Sequence, residues 1–152
     1  VINTYALQHN PDLINEAVKI FGSQSVVINI ESKQRDGYWE CYSDCGRIPS
    51  GKDVLAWIKE VETRGAGEIF LQSVDTDGKM KGFDIELITK AVSSVAIPVV
   101  ACSGAGSVED ILEVAQKAKP SGIAIASLLH YDKTTIGEIK TYLSENGIKV
   151  AL

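Results

Sequence analysis

The chain has 152 residues, of which 45% are hydrophobic and 23% charged, and this is enough for one compact domain with a buried core. Fifteen lysines and arginines against 20 aspartates and glutamates give a net charge of −5, which argues against a nucleic-acid-binding protein. No apolar run approaches the roughly 20 residues that cross a bilayer, so no membrane partner is expected. Three cysteines cannot all pair, and no signal-peptide pattern opens the chain, which favours a cytoplasmic location.

Short apolar strands alternate with amphipathic segments along the chain. Residues 1–4 have the pattern of a strand end, and a helix over Leu13–Phe21 and a buried strand over 25–30 follow. Arg35-Asp36-Gly37 is a turn signal, so it predicts a hairpin excursion that continues into an alternating segment over 38–42. The remaining elements form a regular series: helix 52–64, strand 68–73, helix 84–95, strand 98–101, helix 108–118, strand 122–126 and helix 135–146.

This alternation predicts an α/β protein with a parallel sheet covered by helices. Two architectures fit the pattern. A doubly wound open sheet can be completed within 150 residues, whereas a (β/α)8 barrel takes about 250. Length alone therefore favours the open sheet, and the motifs at the strand ends favour the barrel.

Polar, glycine-containing loops follow the strands, which is where α/β proteins of both kinds place their sites. In Ser73–Gly78, Asp75 and Asp77 are two residues apart, so one of them is a candidate acid or base, although Asp77-Gly78 is also an ordinary turn sequence. The small residues of 101–107 let backbone N–H groups approach an anion, and Ile125-Ala126-Ser127 ends the next strand in the same manner. Two such loops on successive strands predict a phosphate site.

The cysteine and histidine pattern predicts no metal site and no cofactor. Cys41 and Cys45 lack a second Cys or His pair, so we expect free thiols rather than zinc ligands. Cys102 lies in the glycine-rich loop, but neither His9 nor His130 is an obvious base for it, which favours a packing role.

Taken in order, these segments resemble the cyclase subunit of imidazole glycerol phosphate synthase, an enzyme of histidine biosynthesis. The matching segments are Ile2-Asn3-Thr4, Phe21-Gly22-Ser23-Gln24, Gly65-Ala66-Gly67-Glu68-Ile69, Ser73-Val74-Asp75-Thr76-Asp77-Gly78, Pro98-Val99-Val100-Ala101, Gly104-Ala105-Gly106 and Ala126-Ser127. The family fold is a (β/α)8 barrel, and the resemblance places this chain from the end of the fourth barrel strand to the eighth helix. Residues 1–152 would then form a single incomplete domain, a half-barrel fragment with a hairpin after the fifth strand. The start at Val1, with Met80 as the only methionine, agrees with this expectation.

The resemblance also implies a reaction. Ammonia from a glutaminase partner would attack a phosphorylated small molecule, an open-chain bis-phosphate ribulosyl substrate, which cleaves and cyclises to imidazole glycerol phosphate and an aminoimidazole carboxamide ribotide. Asp77 would be the general acid/base, and Glu31 a second catalytic carboxylate. The residues implied for substrate and phosphate binding are Gly78, Ser103, Gly104, Ala126 and Ser127 at one end, and Asn3 and Thr4 at the other.

Two departures from the family pattern keep alternatives open. Glu31 stands where the histidine enzyme usually has aspartate, and Cys102-Ser103 replaces the usual Ser-Gly before Gly104. Both departures fit a paralogous amidotransferase subunit from surface-polysaccharide gene clusters, which makes an acetamidino sugar for lipopolysaccharide. A third reading is the sister phosphoribosyl isomerase of histidine biosynthesis, which shares the barrel and both phosphate sites.

The family pairs its aspartate after the sixth strand with one on the first strand, which this chain lacks. We therefore expect the 152-residue chain to be inactive by itself. The uncovered strand edges of a half-barrel also predict that it self-associates.

Overall fold

Six strands form one sheet within residues 1–150, which are the residues that this computed structural model describes. They are β1 (Val27–Arg35), β2 (Tyr38–Ser43), β3 (Ile48–Asp53), β4 (Glu68–Ser73), β5 (Val99–Cys102) and β6 (Gly122–Ala124). Their order across the sheet is β3-β2-β1-β4-β5-β6. Strands β1, β4, β5 and β6 are parallel, while β2 and β3 form an antiparallel extension at one edge.

The helices connect the strands and cover the sheet. They are α1 (Thr4–Gln8), α2 (Asp12–Phe21), α3 (Val54–Thr63), α4 (Ile85–Ser94), α5 (Val108–Lys117), α6 (Ser127–His130) and α7 (Ile136–Glu145). Capping boxes start two of the helices, Ser107 with Asp110 at α5 and Thr135 with Glu138 at α7. Within residues 1–150, no helix combines the length and the apolar character that crossing a membrane requires.

The order of the parallel strands decides between the two expected architectures. β1, β4, β5 and β6 lie side by side in chain order, whereas a doubly wound sheet reverses its strand order at a switch point. Ile2 continues the series on the other side of β1, where it forms a parallel bridge with Ile28. The fold is therefore part of a (β/α)8 barrel, as the motifs predict, and not the open sheet that length alone favours.

The two faces of the sheet have different roles. Ile28, Ile30, Ile69 and Leu71 are at most 1% exposed and belong to one core with the buried faces of the helices. Because side chains alternate across a strand, the residues between them point to the opposite face, which is the interior side of the barrel. That face carries the polar side chains of the candidate site.

Five elements differ from the sequence prediction. β1 extends to Arg35 rather than ending at residue 30, because its last residues pair with β2 around the predicted turn. The predicted strand over 122–126 ends at Ala124, since α6 begins at Ser127. Strand β3 and helices α1 and α6 were not predicted at all.

Candidate functional site

The carboxyl ends of the four parallel strands meet along one edge of the sheet. There Glu31 of β1 is in register with Gln72 of β4, Gln72 with Cys102 of β5, and Cys102 with Ala124 of β6. Residues in register on neighbouring strands share a face, so these four side chains form a row on the interior side. The loops that carry the predicted site residues begin directly after this row.

The two aspartates after β4 have separate roles. Asp75 accepts a hydrogen bond from the backbone N–H of Gln34 at 2.7 Å, which ties this loop to the end of β1. Asp77 accepts from the Ser103 hydroxyl at 3.0 Å through Oδ1 and from Gln72 Nε2 at 3.4 Å through Oδ2. Asp77 is therefore held by side chains of two neighbouring strand ends, and it is exposed.

The glycine-rich loop after β5 packs closely against the loop that follows Asp77. A Cβ at Gly104 would collide with the carbonyl of Gly82, and a Cβ at Gly106 would collide with that of Met80. The Gly82 N–H also donates to the Gly104 carbonyl at 2.9 Å. The contact of the two backbones explains why the loop needs glycine at residues 104 and 106.

Ser103 has an unusual backbone conformation in this loop. Its φ is +80°, in the left-handed region that favours glycine, and the residue is 7% exposed. A non-glycine residue in such a region costs about 1–3 kcal/mol and persists only where its surroundings enforce it. The surroundings here include the hydrogen bond from the Ser103 hydroxyl to Asp77. The Thr76 hydroxyl also lies 3.4 Å from the Ser103 carbonyl, although the Ser73 carbonyl is nearer to it at 3.2 Å.

A cavity of about 250 Å3 lies between the three loops. Its walls include five residues for which the sequence predicts phosphate binding and the predicted acid/base, namely Gly78, Ser103, Gly104, Ala126, Ser127 and Asp77. Phe70 and Cys102 form part of its apolar wall. Residues from three separate loops are thus brought to one small space.

Glu31 lies at the same edge of the sheet in a different environment. It is 6% exposed, and its carboxylate accepts from Asn3 Nδ2 and from the backbone N–H of Gly46, each at 2.7 Å. Thr4 is close to the same turn, with its hydroxyl 3.5 Å from the backbone N–H of Asp44. Asn3, Thr4 and Glu31 therefore form a second group, and none of them lines the cavity that contains Asp77.

The cysteines are free thiols, and burial makes two of them poor nucleophiles. Burial raises the pKa of Cys41 to about 12, and it also raises the pKa of Cys102. His130 is exposed at the end of α6. In the part of the chain that the structure describes, no three His, Cys, Asp or Glu side chains form a group suited to a metal ion.

Two residues near the site were not predicted from the sequence. Gln72 supplies a donor to Asp77, and the Thr76 hydroxyl donates to the Ser73 carbonyl at 3.2 Å while lying 3.4 Å from that of Ser103. The available signal for Gln72 was a polar residue directly after the apolar run of residues 69–71. Nothing in the sequence distinguishes Thr76 from an ordinary turn residue.

Residues 1–135 match the family described as "Histidine biosynthesis protein". Three similar proteins carry the name imidazole glycerol phosphate synthase subunit HisF. The one from Thermococcus onnurineus is 47% identical over 99% of this chain, the one from Pyrococcus furiosus 46% over 99%, and the one from Symbiobacterium thermophilum 44% over 98%. In each case the match covers 59% of the relative, so this chain spans about three-fifths of the length of these proteins.

Proposed function

We propose that this chain, which belongs to the histidine biosynthesis protein family, forms the phosphate-binding and acid/base part of an ammonia-dependent synthase subunit. The reaction is the one implied by the resemblance to imidazole glycerol phosphate synthase. Ammonia attacks an open-chain bis-phosphate ribulosyl substrate, which is converted to imidazole glycerol phosphate and an aminoimidazole carboxamide ribotide. The names of the relatives support this assignment.

The observation that carries the proposal is the cavity beside Asp77. Gly78 has open space where a side chain would stand, Gly104 lines the same cavity, and Ser127 adds a hydroxyl on the third loop. A phosphate bound there would place the attached carbon chain close to the Asp77 carboxylate. Positioning of this kind makes proton transfer effectively intramolecular, which is a large part of enzymatic rate enhancement.

Glu31 is the second carboxylate of the proposed site, and Asn3 and Thr4 contribute to the second phosphate subsite. Asn3 orients Glu31 through its amide N–H, while Asn3 Oδ1 is buried without a hydrogen-bond partner among residues 1–150. The two groups of site residues lie on one sheet edge, as a substrate with a phosphate at each end requires.

The proposed partner is a glutaminase subunit that supplies ammonia, and the proposed location is the cytoplasm. The glutaminase partner is proposed because the relatives are named as subunits and because the family resemblance implies such a partner. The cytoplasmic location is supported by the three free thiols, which a reducing compartment preserves. The 152-residue chain by itself is proposed to be inactive, because it contributes Asp77 without the first-strand aspartate that the family pairs with it.

A second candidate is the paralogous amidotransferase subunit that makes an acetamidino sugar. The observation that favours it is the environment of Glu31, whose longer side chain contacts both Asn3 and the hairpin turn at Gly46. In this candidate the ammonia partner is the same and the substrate is a sugar. Assaying both substrates with the same protein therefore separates the two candidates.

The test uses a chimera in which residues 1–152 replace the matching segment of the Thermococcus onnurineus subunit. With the bis-phosphate substrate and ammonium salts, we expect turnover that Asp77→Asn lowers at least 100-fold, whereas Asp36→Asn at the exposed hairpin turn leaves it unchanged. The isolated 152-residue chain should show no turnover. Wild-type turnover in the Asp77→Asn chimera would refute the role of Asp77, and turnover by the isolated chain would refute its proposed inactivity.

A further inference from the structure

We infer that Ser103 is a positioning residue for Asp77, and that its hydroxyl orients the carboxylate rather than binding substrate phosphate. The inference rests on the proposed function, because it gives Ser103 a role through the proposed acid/base. It concerns a position where this chain has serine and the family resemblance implies glycine.

The hydroxyl of Ser103 has a single proton to donate, and the geometry assigns that proton to Asp77. Asp77 Oδ1 is 3.0 Å from Ser103 Oγ, while Cys102 Sγ, the other acceptor near this hydroxyl, is 3.9 Å away. A carboxylate oxygen is also the stronger acceptor, because it carries charge. The hydroxyl is therefore engaged before any phosphate enters the cavity.

The backbone at Ser103 shows that the hydroxyl is retained at a conformational cost. With φ at +80°, glycine would adopt this conformation without strain, whereas serine does not. The residue is 7% exposed, so the serine is not explained as a solvent-facing polar substitution. Residues held in such conformations cluster at functional sites, which makes the Ser103 side chain a candidate for a role in this one.

The contacts around Ser103 fix the Asp77 carboxylate on both sides. Ser103 holds Oδ1 at 3.0 Å and Gln72 holds Oδ2 at 3.4 Å. A carboxylate has about four lone-pair positions, so two remain for a reacting group. Fixing two of them sets the direction in which the remaining lone pairs face the cavity.

A spectroscopic test uses the 152-residue chain itself. With aspartate labelled by 13C at its carboxyl carbon, the Asp77 signal is identified by its loss in Asp77→Asn. We expect this signal to shift in Ser103→Ala and in Ser103→Gly, and to stay in place in Ser107→Ala. Ser107 is the matched control, because its side chain lies in the same loop and caps α5 through the Asp110 N–H without contacting Asp77.

A kinetic test uses the chimera described above. We expect Ser103→Ala to lower kcat at least ten-fold with KM within two-fold of wild type, and to have no further effect in the Asp77→Asn background. Ser103→Gly should raise Tm, because it relieves the backbone strain, and should still lower kcat. If the Ser103 hydroxyl did not orient Asp77, the glycine variant would be fully active whatever its Tm.

The outcomes separate the inference from the function on which it rests. An unmoved Asp77 signal in Ser103→Ala, wild-type kcat in Ser103→Gly, or a raised KM with unchanged kcat would overturn the inference while the effect of Asp77→Asn remained. Wild-type turnover in the Asp77→Asn chimera would overturn both the role of Asp77 and the inference.

Discussion

At residue 31 a single carboxylate connects two segments that are distant in the sequence. Glu31 accepts from Asn3, which precedes α1, and from the Gly46 N–H in the turn between β2 and β3. That turn has three consecutive left-handed residues, Asp44, Cys45 and Gly46, with φ values of +52°, +56° and +74°. The bond from Gly46 helps to hold this conformation in place.

Shortening Glu31 should therefore weaken the turn. In Glu31→Asp the carboxylate is one methylene shorter and cannot keep both contacts, so we expect the free energy of unfolding to fall by about 1–3 kcal/mol. Glu31→Gln keeps the length, and its amide N–H can donate to Asn3 Oδ1, which has no partner among the described residues. Urea denaturation of the three proteins should rank Glu31→Gln above Glu31→Asp. An aspartate variant as stable as wild type would contradict this account.

The buried thiol of Cys41 predicts how the stability of the protein changes with pH. Burial raises the pKa of this thiol from 9.0 to about 12, so above pH 9 the unfolded chain loses the proton while the folded chain keeps it. The unfolded state then binds fewer protons, and stability falls as pH rises from 9 towards 12, by up to about 1.4 kcal/mol per pH unit. Unfolding of wild type and Cys41→Ala should be compared between pH 7 and 11. If this thiol titrates as described, the alanine variant loses less stability over that range.

At the scale of elements, one carboxylate serves both a helix and the hairpin. Asp84 accepts from the Leu87 N–H at the start of α4, and it also accepts from Trp39 Nε1 of β2 at 2.9 Å. Trp39 is 4% exposed, so its N–H depends on this partner. Asp53 is the comparison, since it caps α3 through Ala56 in the same way without such a second bond.

Removing the two caps should have unequal effects. Asp53→Ala loses a helix cap, which costs about 1 kcal/mol. Asp84→Ala loses a cap and also leaves the buried Trp39 N–H unpaired, which adds about 1–3 kcal/mol. Urea unfolding followed by circular dichroism gives both values. Equal losses in the two variants would mean that the Trp39 bond contributes little.

The elements that could be predicted are those whose signal is local. Helices α3, α4, α5 and α7 combine apolar periodicity with a capping residue, and each lies within about two residues of its predicted bounds. Strand β3 could not be predicted, because its sequence Ile48–Asp53 contains proline and glycine and becomes a strand through pairing with β2. Likewise, α6 has only four residues, too few for a periodic pattern.

The candidate site was predictable in part for the same reason. Asp77, Gly78, Gly104 and Ser127 follow strands that sequence alone identifies, and parallel strands bring their carboxyl ends to one edge. The bond between Ser103 and Asp77 was not predictable, because it depends on the backbone of residue 103 adopting a positive φ. Side-chain geometry of this kind comes from the packing of two loops and not from either loop alone.

At the scale of the whole molecule, the uncovered edge of strand β6 favours association of this chain with a second copy. Among residues 1–150, β6 pairs only with β5, so its other edge has backbone groups that no strand covers. Beside it lies a groove of about 590 Å3 between β6, α5, α7 and the segment 148–150, lined by apolar side chains that include Ile125, Ile136 and Ile148. An uncovered strand edge next to an apolar groove favours pairing with another chain.

We therefore expect the 152-residue chain to self-associate through this surface. Ile136 is 48% exposed within the groove, so Ile136→Lys should tolerate folding while its charge opposes burial against a second copy. Sedimentation at micromolar concentrations should show wild type as dimers or larger and Ile136→Lys shifted towards monomer. Tyr38→Lys is the control, because Tyr38 is 42% exposed at the distant hairpin turn. A wild-type chain that stays monomeric would exclude self-association, and equal effects of the two lysines would place the contact elsewhere than at the β6 edge.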